Sequence, residues 1–471
     1  MKFVGRQREL DTLERLYGAP GFQMPVVYGR RRVGKTSLIN QFVEGKRAIF
    51  FSARESTAKE NLVALSKAIA ESAESGNFGS FELTDKPVAV FPAFEDAFSY
   101  VFSLASQQRL VFVIDEYPYL AQSDKSVSSV LQHLIDKNRE ASNLFLILCG
   151  SSMSFMEHQV LGYKSPLYGR RTVQIKVEPF GFREACQLLS GASVEDNVAW
   201  YGIAGGVPLY LEQFDTGLSV EQNIAQNVLG IDSFLFGEPD AFLQQEMREP
   251  AKYKAIIQTI AGGEGKLTNI ADGAGIERTA ATSYLKSLIE LGIIRREEPM
   301  VDASKKKVRY AVSDPLFRFW YRFVPQYLTP LQVGREREVA QLIVREHLAT
   351  YTGPVFEEVC RQWLLEESMR DDVPFILNVG RWWGTDPVRK AQAEIDVVAQ
   401  CDDGTLICGE CKWQSKPVGD DVLRTLQHRA SLIQHGQPLQ LLLFSKAGFT
   451  EECRAEAQKA GCRLVTLEDM W

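Results

Sequence analysis

Short apolar runs alternate with longer amphipathic segments over the first part of the chain. The five clearest runs are Met24–Tyr28, Ala48–Ser52, Leu110–Ile114, Leu144–Cys149 and Thr172–Val177. A continuous apolar run of this length is typical of a buried strand, and most of the intervening segments are long enough for helical crossovers. The alternation predicts an α/β domain with a parallel sheet at residues 1–178.

The pattern changes three times beyond this domain. Helical periodicity dominates residues 179–248, where strand patterns fade. Residues 249–315 form a compact block with the pattern of three helices and a charged hairpin, and linker helices are predicted at 316–350. A helix, strands, a helix and a further strand then predict a second α/β unit at residues 351–471.

Composition narrows the class of protein. The 471 residues are 45% hydrophobic and 24% charged, which excludes a largely disordered chain, a collagen-like chain and a coiled-coil rod. The longest apolar runs have the length of strands rather than of membrane spans, and the charged N-terminus is unlike a secretory signal. Eight cysteines in a chain of this length do not form a disulfide scaffold. We therefore expect a cytoplasmic protein without a membrane partner.

A glycine-rich motif follows the first apolar run. The segment Gly29-Arg-Arg-Arg-Val-Gly-Lys-Thr36 matches G-x-x-x-x-G-K-[ST] and opens a helical pattern. Its glycines let backbone N–H groups surround a phosphate at the start of a helix, Lys35 would neutralise phosphate oxygens, and Thr36 would offer its hydroxyl to Mg²⁺. The residues predicted to bind ATP are Gly29, Arg30, Arg31, Arg32, Val33, Gly34, Lys35, Thr36 and Ser37.

Two acids, Asp115 and Glu116, end the third apolar run. Asp115 would hold Mg²⁺ through water, and Glu116 would polarise the attacking water as a general base. The alternative is a pair of solvated acids at a strand end, but a phosphate-binding motif in the same domain favours the catalytic interpretation. We expect Lys35 and Glu116 to be catalytic, and Thr36 and Asp115 to hold the metal.

Four further segments resemble motifs of prokaryotic archaeal-type P-loop ATPases, a STAND- and AAA-like group. They are Phe3–Glu9, Cys149–Ser151, Leu167–Arg171 and Gly205–Tyr210. The resemblance implies, in this order, a box that flanks the adenine, a sensor position after the fourth strand, an arginine element that senses phosphate, and a helical lid. In that lid Pro208 would touch the base. For Arg170 and Arg171 a surface or salt-bridge role is an equally good interpretation.

The block at 249–315 resembles a winged helix. Between residues 251 and 312 it holds 11 Lys and Arg against 7 Asp and Glu, whereas the whole chain has a net charge of −7. Lys305, Lys306 and Lys307 fall at the expected wing tip, and Arg278 and Lys286 fall near the third helix. This distribution favours a local DNA contact. The alternative is a packing module that holds the lid, since the third helix carries few basic residues.

Two carboxylates and a lysine are predicted to share one face of a hairpin in the last unit. The strand patterns are Glu394–Ala399 and Thr405–Trp413, joined by the turn signal Asp402–Gly404. A hairpin centred on this turn places Asp396 opposite Glu410, with Lys412 two residues further along the same face. Carboxylates in this arrangement suit Mg²⁺ or Mn²⁺, and the lysine can polarise the attacking water.

The spacing D-x(13)-E-x-K resembles the PD-(D/E)xK nucleases. The order of segments along the chain is similar to archaeal ATPases whose C-terminal part is a DUF234 domain with that motif. The resemblance implies a restriction-endonuclease-like fold and a further metal ligand on the preceding helix, for which Glu357 is the first candidate and Glu358 the substitute. Ile395 stands where the motif has a proline. The alternative is a hairpin on which Glu410 and Lys412 pair without a metal.

Together these patterns predict an ATP-hydrolysing protein coupled to metal-dependent cleavage of DNA. The nuclease site would use Asp396, Glu410 and Lys412 as catalytic groups, with the metal held by Glu357, Asp396 and Glu410. An alternative from a different class is a nucleotide-switched regulator or scaffold whose nuclease-like domain only binds nucleic acid or protein. A transcription factor is a third interpretation, which rests on the winged helix alone. The sequence leaves homo-oligomerisation open.

Overall fold

The chain folds into two compact units, Met1–Pro179 and Phe180–Trp471. The structure is a computed structural model that describes residues 3–74, 89–301, 307–369, 374–434 and 436–470. Across these described ranges, no helix combines the length and the apolar character that crossing a membrane requires.

The first unit is a five-stranded parallel sheet flanked by helices. Its strands are β1 (Pro25–Tyr28), β2 (Ala48–Ser52), β3 (Leu110–Asp115), β4 (Leu144–Gly150) and β5 (Val173–Lys176). Its helices are α1 (Gln7–Gly18), α2 (Lys35–Val43), α3 (Ala58–Glu74), α4 (Phe94–Leu104), α5 (Tyr117–Ser123), α6 (Val127–Asn138) and α7 (Met153–Phe155), and a π-helical turn at Met156–Val160 continues α7. The strand order is β2-β3-β4-β1-β5, and every neighbouring pair is parallel. The predicted parallel α/β domain is confirmed.

The central strands explain why the apolar runs are continuous. Every residue of β1, β3 and β4 is buried, because helices cover both faces of the sheet. Phe112 and Leu148 pack into one apolar cluster, and Val113 and Ile147 pack into the cluster on the opposite face. Strand β4 lies between β1 and β3, so the carboxyl ends of these three strands meet at one edge of the sheet.

The second unit begins with helices and a small hairpin. The helices are α8 (Phe182–Leu188), α9 (Val194–Ala204), α10 (Pro208–Leu211), α11 (Val220–Asn223), α12 (Phe234–Glu246), α13 (Pro250–Ala261), α14 (Leu267–Ala274), α15 (Arg278–Glu290), α16 (Pro315–Phe323), α17 (Leu328–Gln332) and α18 (Glu336–Ile343). Between α15 and α16, β6 (Ile294–Glu297) and β7 (Arg309–Val312) pair in antiparallel fashion. Three helices and a hairpin therefore lie where the sequence pattern predicts them at 249–315.

The C-terminal part is a mixed sheet with helices. Its elements are α19 (Ala349–Glu367), β8 (Ile376–Asp386), β9 (Ala391–Cys401), β10 (Leu406–Lys412), α20 (Asp420–Ser431), β11 (Leu439–Ser445), α21 (Glu451–Ala460) and β12 (Cys462–Thr466). The strand order is β12-β11-β10-β9-β8, with antiparallel pairing from β8 to β10 and parallel pairing from β10 to β12. The sequence analysis predicted one helix and one strand after the β9–β10 hairpin, and the structure corrects this to two of each.

The segments that flank the expected wing tip pack on the C-terminal sheet. The N–H of Met300 donates to the carbonyl of Arg381 at 2.9 Å, and the indole N–H of Trp383 donates to the carbonyl of Lys307 at 3.1 Å. Met300 also packs against the apolar core of that sheet. Met300 and Lys307, the described residues on either side of the tip, are therefore both tied to β8. The predicted DNA contacts of Lys305 and Lys306 lie outside the described residues.

Candidate functional site

The loop after β1 has the backbone that its glycine positions require. A Cβ atom on Gly29 would lie 2.3 Å from the carbonyl oxygen of Val177, so no side chain fits there. Gly34 has φ +90°, a left-handed conformation that glycine adopts without steric cost, and α2 begins at the next residue. The backbone N–H groups at the start of α2, which have no acceptor within the helix, therefore face a loop that carries no side chain at Gly29 or Gly34.

Lys35 and Thr36, the first two residues of α2, make side-chain contacts to the loop and to the end of β3. The Lys35 ammonium donates to the carbonyl oxygens of Gly29 and Arg30, both at 2.9 Å, and only 6% of the residue is exposed. Burial lowers the pKa of Lys35. The Thr36 hydroxyl donates to Asp115 Oδ2 at 3.1 Å, which joins the end of β3 to the start of α2. A hydroxyl and a carboxylate at this distance are a suitable donor set for Mg²⁺.

A serine at the end of β4 holds the second acid. The N–H and hydroxyl of Ser151 both donate to Glu116 Oε2, at 3.2 and 2.9 Å. Glu116 itself has φ +50°, a strained conformation for a residue with a side chain, and its N–H donates to Asp115 Oδ1 at 3.0 Å. This contact depends on β4 lying next to β3, so the strand order brings Ser151 and Glu116 together.

Arg6 is a contributor to this site whose role the sequence analysis missed. Its guanidinium donates to the carbonyl of Val33 within the loop at 3.0 Å and to the carbonyl of Glu178 at 2.6 Å. The residue is 5% exposed and has φ +64°. The resemblance placed its segment beside the adenine; within the first unit, Arg6 joins the phosphate-binding loop to the end of the unit. Nothing in the local pattern around Arg6 indicates these two distant acceptors.

Four further residues that the sequence analysis assigned to nucleotide binding or sensing have the following contacts and positions. The Arg31 guanidinium donates to the Tyr119 hydroxyl at 2.9 Å. Arg170 pairs with Asp136 through two bonds of 2.8 and 2.6 Å, the salt-bridge role that the sequence analysis gave as the alternative to a sensor. Arg171 donates to the carbonyl of Leu161 at 3.2 Å. Pro208 is the first residue of α10 in the second unit.

The hairpin register in the C-terminal sheet follows the prediction. Leu406 pairs with Gln400 and Gly409 with Val397, so the next pair in the same register would be Glu410 and Asp396. At that point Asp396 Oδ2 instead accepts the N–H of Cys411 at 2.9 Å. The carboxylate of Asp396 therefore lies against β10 beside Glu410.

Glu410 is held by two cations. Its Oε1 lies 2.7 Å from the Lys412 ammonium, and both of its oxygens lie 3.1 Å from Nη1 of Arg429 on α20. Glu410 is 5% exposed, so this carboxylate is neutralised inside the fold. Arg429 is not part of the sequence motif, and its approach depends on the packing of α20 against the sheet.

Helix α19 brings a third carboxylate to the same region. Burial and the charge of Asp396 raise the pKa of Glu357, and burial and the charge of Glu410 raise the pKa of Asp396. The carboxylate of Glu358 pairs with the guanidinium of Arg361 at 3.0 Å. Of the two candidate acids on this helix, Glu357, the first candidate of the sequence analysis, is the one whose pKa the charge of Asp396 raises.

The fit of a divalent cation to these carboxylates is partial. Within the described ranges, no group of three His, Cys, Asp or Glu side chains is close enough to hold a metal ion. The charge of Asp396 raises the pKa of Glu357, so these two carboxylates repel one another. Glu410 would join them only by exchanging part of its contact with Lys412 and Arg429. The sequence motif predicted the three acids, but not this competing ion pair.

Two family models match the chain. One is described as an ATPase domain predominantly from Archaea and matches residues 3–214. The other is DUF234, described as archaeal and bacterial proteins of unknown function, and matches residues 320–424.

Related proteins and structures agree with these matches. An uncharacterized protein of Methanocaldococcus jannaschii is 32% identical over 436 residues, which are 92% of this chain and 92% of that protein. An uncharacterized ATP-binding protein of the same organism is 49% identical over 45 residues, or 10% of this chain and 76% of that protein. The Walker-type ATPase of Pyrococcus abyssi shares the fold, with a TM-score of 0.51 and 21% identity over 68% of this chain and 96% of that one. The chain therefore belongs to the family of archaeal-type P-loop ATPases whose C-terminal part is a DUF234 domain.

Proposed function

We propose that the chain hydrolyses ATP in its first unit and cleaves nucleic acid in its C-terminal domain with the help of a divalent metal. The observation that carries the second activity is the position of the Asp396 carboxylate against β10 beside Glu410 and Lys412, with Glu357 of α19 near enough for its charge and that of Asp396 to repel one another. Glu357 and Asp396 are half-buried acids that repel one another, and a bound cation would remove that cost, which supports a binding role rather than a packing role.

In the ATPase site, the backbone from Gly29 to Gly34 surrounds the phosphates and Ser37 extends the cradle along α2. Lys35 exchanges its two carbonyl acceptors for phosphate oxygens when ATP binds. Thr36 and Asp115 would hold Mg²⁺, which would neutralise charge that develops on the phosphates. Glu116, whose Oε2 is held by Ser151, accepts the proton of the attacking water.

In the nuclease site, Glu357, Asp396 and Glu410 would hold Mg²⁺ or Mn²⁺. The metal would polarise the scissile phosphate and lower the pKa of a bound water. The ammonium of Lys412 lies 2.7 Å from Glu410 and is 31% exposed, so it can orient water or offset charge on the phosphate. Arg278 and the exposed Lys286 on α15 would add contacts to DNA phosphates outside the cleavage site.

The coupling of the two activities would run through nucleotide binding. The test is cleavage of plasmid and single-stranded DNA by the full chain in Mg²⁺ or Mn²⁺, with and without ATP. Asp396→Ala and Lys412→Ala should abolish cleavage and keep ATP hydrolysis, while Lys35→Ala should abolish ATP hydrolysis. A wild type that never cleaves, or both C-terminal variants cleaving normally, would refute the nuclease.

The contact of Glu410 with Lys412 and Arg429 favours one second candidate. An acid neutralised by two cations needs no metal, as in a structural ion-pair network. The chain would then be a nucleotide-switched regulator or scaffold, whose C-terminal domain binds nucleic acid or protein. This candidate predicts slow ATP turnover, ATP-dependent homo-oligomerisation and no cleavage in any metal.

A further inference from the structure

A cleft rich in arginine lies beside the candidate nuclease site. Its volume is about 480 Å³, and its walls come from the α13–α14 turn, the β6–β7 hairpin, α16, α19 and β8. We call it the arginine cleft, defined by Arg295, Arg309, Arg318, Arg322, Arg361 and Arg381. With Lys266 it has seven cationic side chains against three carboxylates among its lining residues.

Four of the six arginines have acidic partners. Arg295 and Arg381 both pair with Glu297, Arg309 pairs with Glu394 at 3.1 Å, and Arg361 pairs with Glu358. These pairs fix the walls of the cleft, because they join the β6–β7 hairpin to the C-terminal sheet and stiffen α19.

Arg318 and Arg322 are different. They lie one turn apart on α16, and among the described residues neither is paired with a carboxylate. The Arg318 Nε donates to the Tyr351 hydroxyl at 3.2 Å, and its guanidinium lies 4.8 Å from the Tyr351 ring centre. The side chain is thus held in place by an aromatic neighbour while its charge is left for an anion.

The cleft leads to the carboxylates of the candidate nuclease site. Glu357 is one of its lining residues, and Arg361 on the next turn of α19 donates to the carbonyl of Asp396 at 2.7 Å. An anion that lies along the arginines therefore ends next to Glu357 and Asp396.

We propose that the arginine cleft binds the phosphates of a single nucleic-acid strand and directs that strand to Glu357 and Asp396. The inference rests on the proposed nuclease function and names its substrate class. The volume of about 480 Å³ is that of a small-ligand site, which a single strand can enter and the full width of a duplex cannot. Tyr310 also lines the cleft, so a base can stack while arginines hold its phosphate.

The test is binding of a labelled 12-nucleotide single strand to the full chain without metal, measured by fluorescence anisotropy over a range of salt concentrations. Arg318→Gln with Arg322→Gln should weaken binding at least about tenfold and reduce the salt slope by about 1.4, since each single-strand phosphate contact contributes about 0.7. Arg322→Gln alone should lose part of this affinity and of this salt dependence. Arg322 is exposed, so the single substitution should leave folding intact. Arg345→Gln is the matched control, because Arg345 is 75% exposed and lies outside the cleft.

Equal binding by the double variant and wild type would overturn the inference, as would an equal loss in Arg345→Gln. A duplex that binds as tightly as the single strand, or inorganic triphosphate that binds in a Lys35→Ala background while the strand does not, would overturn the choice of ligand. Failure of the nuclease is distinguishable: the strand would still bind in the cleft but would not be cut in Mn²⁺. Failure of the cleft alone would leave cleavage unchanged in Arg318→Gln with Arg322→Gln.

Discussion

The guanidinium of Arg361 donates to the main-chain carbonyl of Asp396 at 2.7 Å, and this bond joins α19 to β9. The same side chain pairs with Glu358 at 3.0 Å and lies 3.8 Å from Glu357. Arg361 therefore joins the turn of α19 that carries Glu357 to the main chain of Asp396, and the charges of these two acids repel one another. It is a positioning residue for the candidate nuclease site.

Arg361→Ala should destabilise the C-terminal domain by about 2 kcal/mol, the usual cost of losing hydrogen bonds to a charged group. The carbonyl of Asp396 loses its charged donor, and the carboxylate of Glu358 loses its nearest cation. Urea unfolding followed by tryptophan fluorescence measures the change. Arg454→Ala is the control, since Arg454 is half exposed and its partner lies 3.9 Å away. Equal stability of Arg361→Ala and Arg454→Ala would contradict the positioning role.

Gly29→Ala should weaken ATP binding at least about tenfold, or 1.4 kcal/mol. The new Cβ would lie 2.3 Å from the carbonyl oxygen of Val177, so the loop must shift and its N–H groups move with it. Gly18→Ala is the matched control, because a Cβ there meets nothing within 4 Å. Calorimetric titration with ATP gives the affinities. If both variants bind ATP as tightly as the wild type, Gly29 is not required for the phosphate-binding conformation of the loop.

Glu116→Gln should lower the rate of ATP hydrolysis about 10²- to 10⁴-fold and keep ATP affinity, because a general base is lost and no phosphate contact is. Ser151→Ala should cause a smaller loss in kcat, since the backbone N–H still holds the carboxylate. Ser152→Ala should have no effect, because no side-chain hydrogen bond of Ser152 caps α7. A full rate in Glu116→Gln would remove Glu116 from the mechanism.

The stability of the C-terminal domain should fall at acid pH partly through Asp386. The N–H groups of Arg389 and Val388 donate to Asp386 Oδ1 at 3.0 and 2.9 Å, and the His428 ring lies 2.6 Å from Oδ2. The hydrogen bond from the Arg389 N–H and the contact with His428 hold the pKa of Asp386 below its ordinary value. Because the pKa of Asp386 is lower in the folded state, the ionised carboxylate stabilises the fold at pH values above the unfolded pKa of about 3.9. This stabilisation is lost as the pH falls through the folded-state pKa.

Asp386→Asn removes this titration. Thermal unfolding between pH 3 and pH 7 should therefore show a shallower acid loss in Asp386→Asn than in the wild type. Asp402→Asn, in an exposed turn of the same sheet, should keep the wild-type profile. Identical acid profiles for the wild type and Asp386→Asn would contradict the assignment.

Local patterns predicted the strands and the hairpin register well. The run Ala48–Ser52 is a strand with the same bounds, although it is the edge strand of its sheet and only Ile49 and Phe51 in it are buried. The register that places Asp396 beside Glu410 followed from the turn at Asp402–Gly404, since a hairpin of fixed turn length has one register. The last helix and strand, α21 and β12, were missed.

Contacts between distant segments could not be read from the sequence. Arg429 reaches Glu410 only because α20 packs on the sheet, and Met300 reaches Arg381 only because the β6–β7 loop packs on β8. Neither contact has a periodic or motif signal. The same limit applies to Arg6, whose two acceptors lie 27 and 172 residues away.

Manganese binding by the nucleotide-free chain tests the central claim most directly. Titration followed by electron paramagnetic resonance should detect one Mn²⁺ per chain at the C-terminal site, and Asp396→Asn should abolish it. Asp402→Asn, the same change six residues along on an exposed turn, should bind Mn²⁺ like the wild type. No bound Mn²⁺ in the wild type, or undiminished binding in Asp396→Asn, would contradict the account and favour the scaffold.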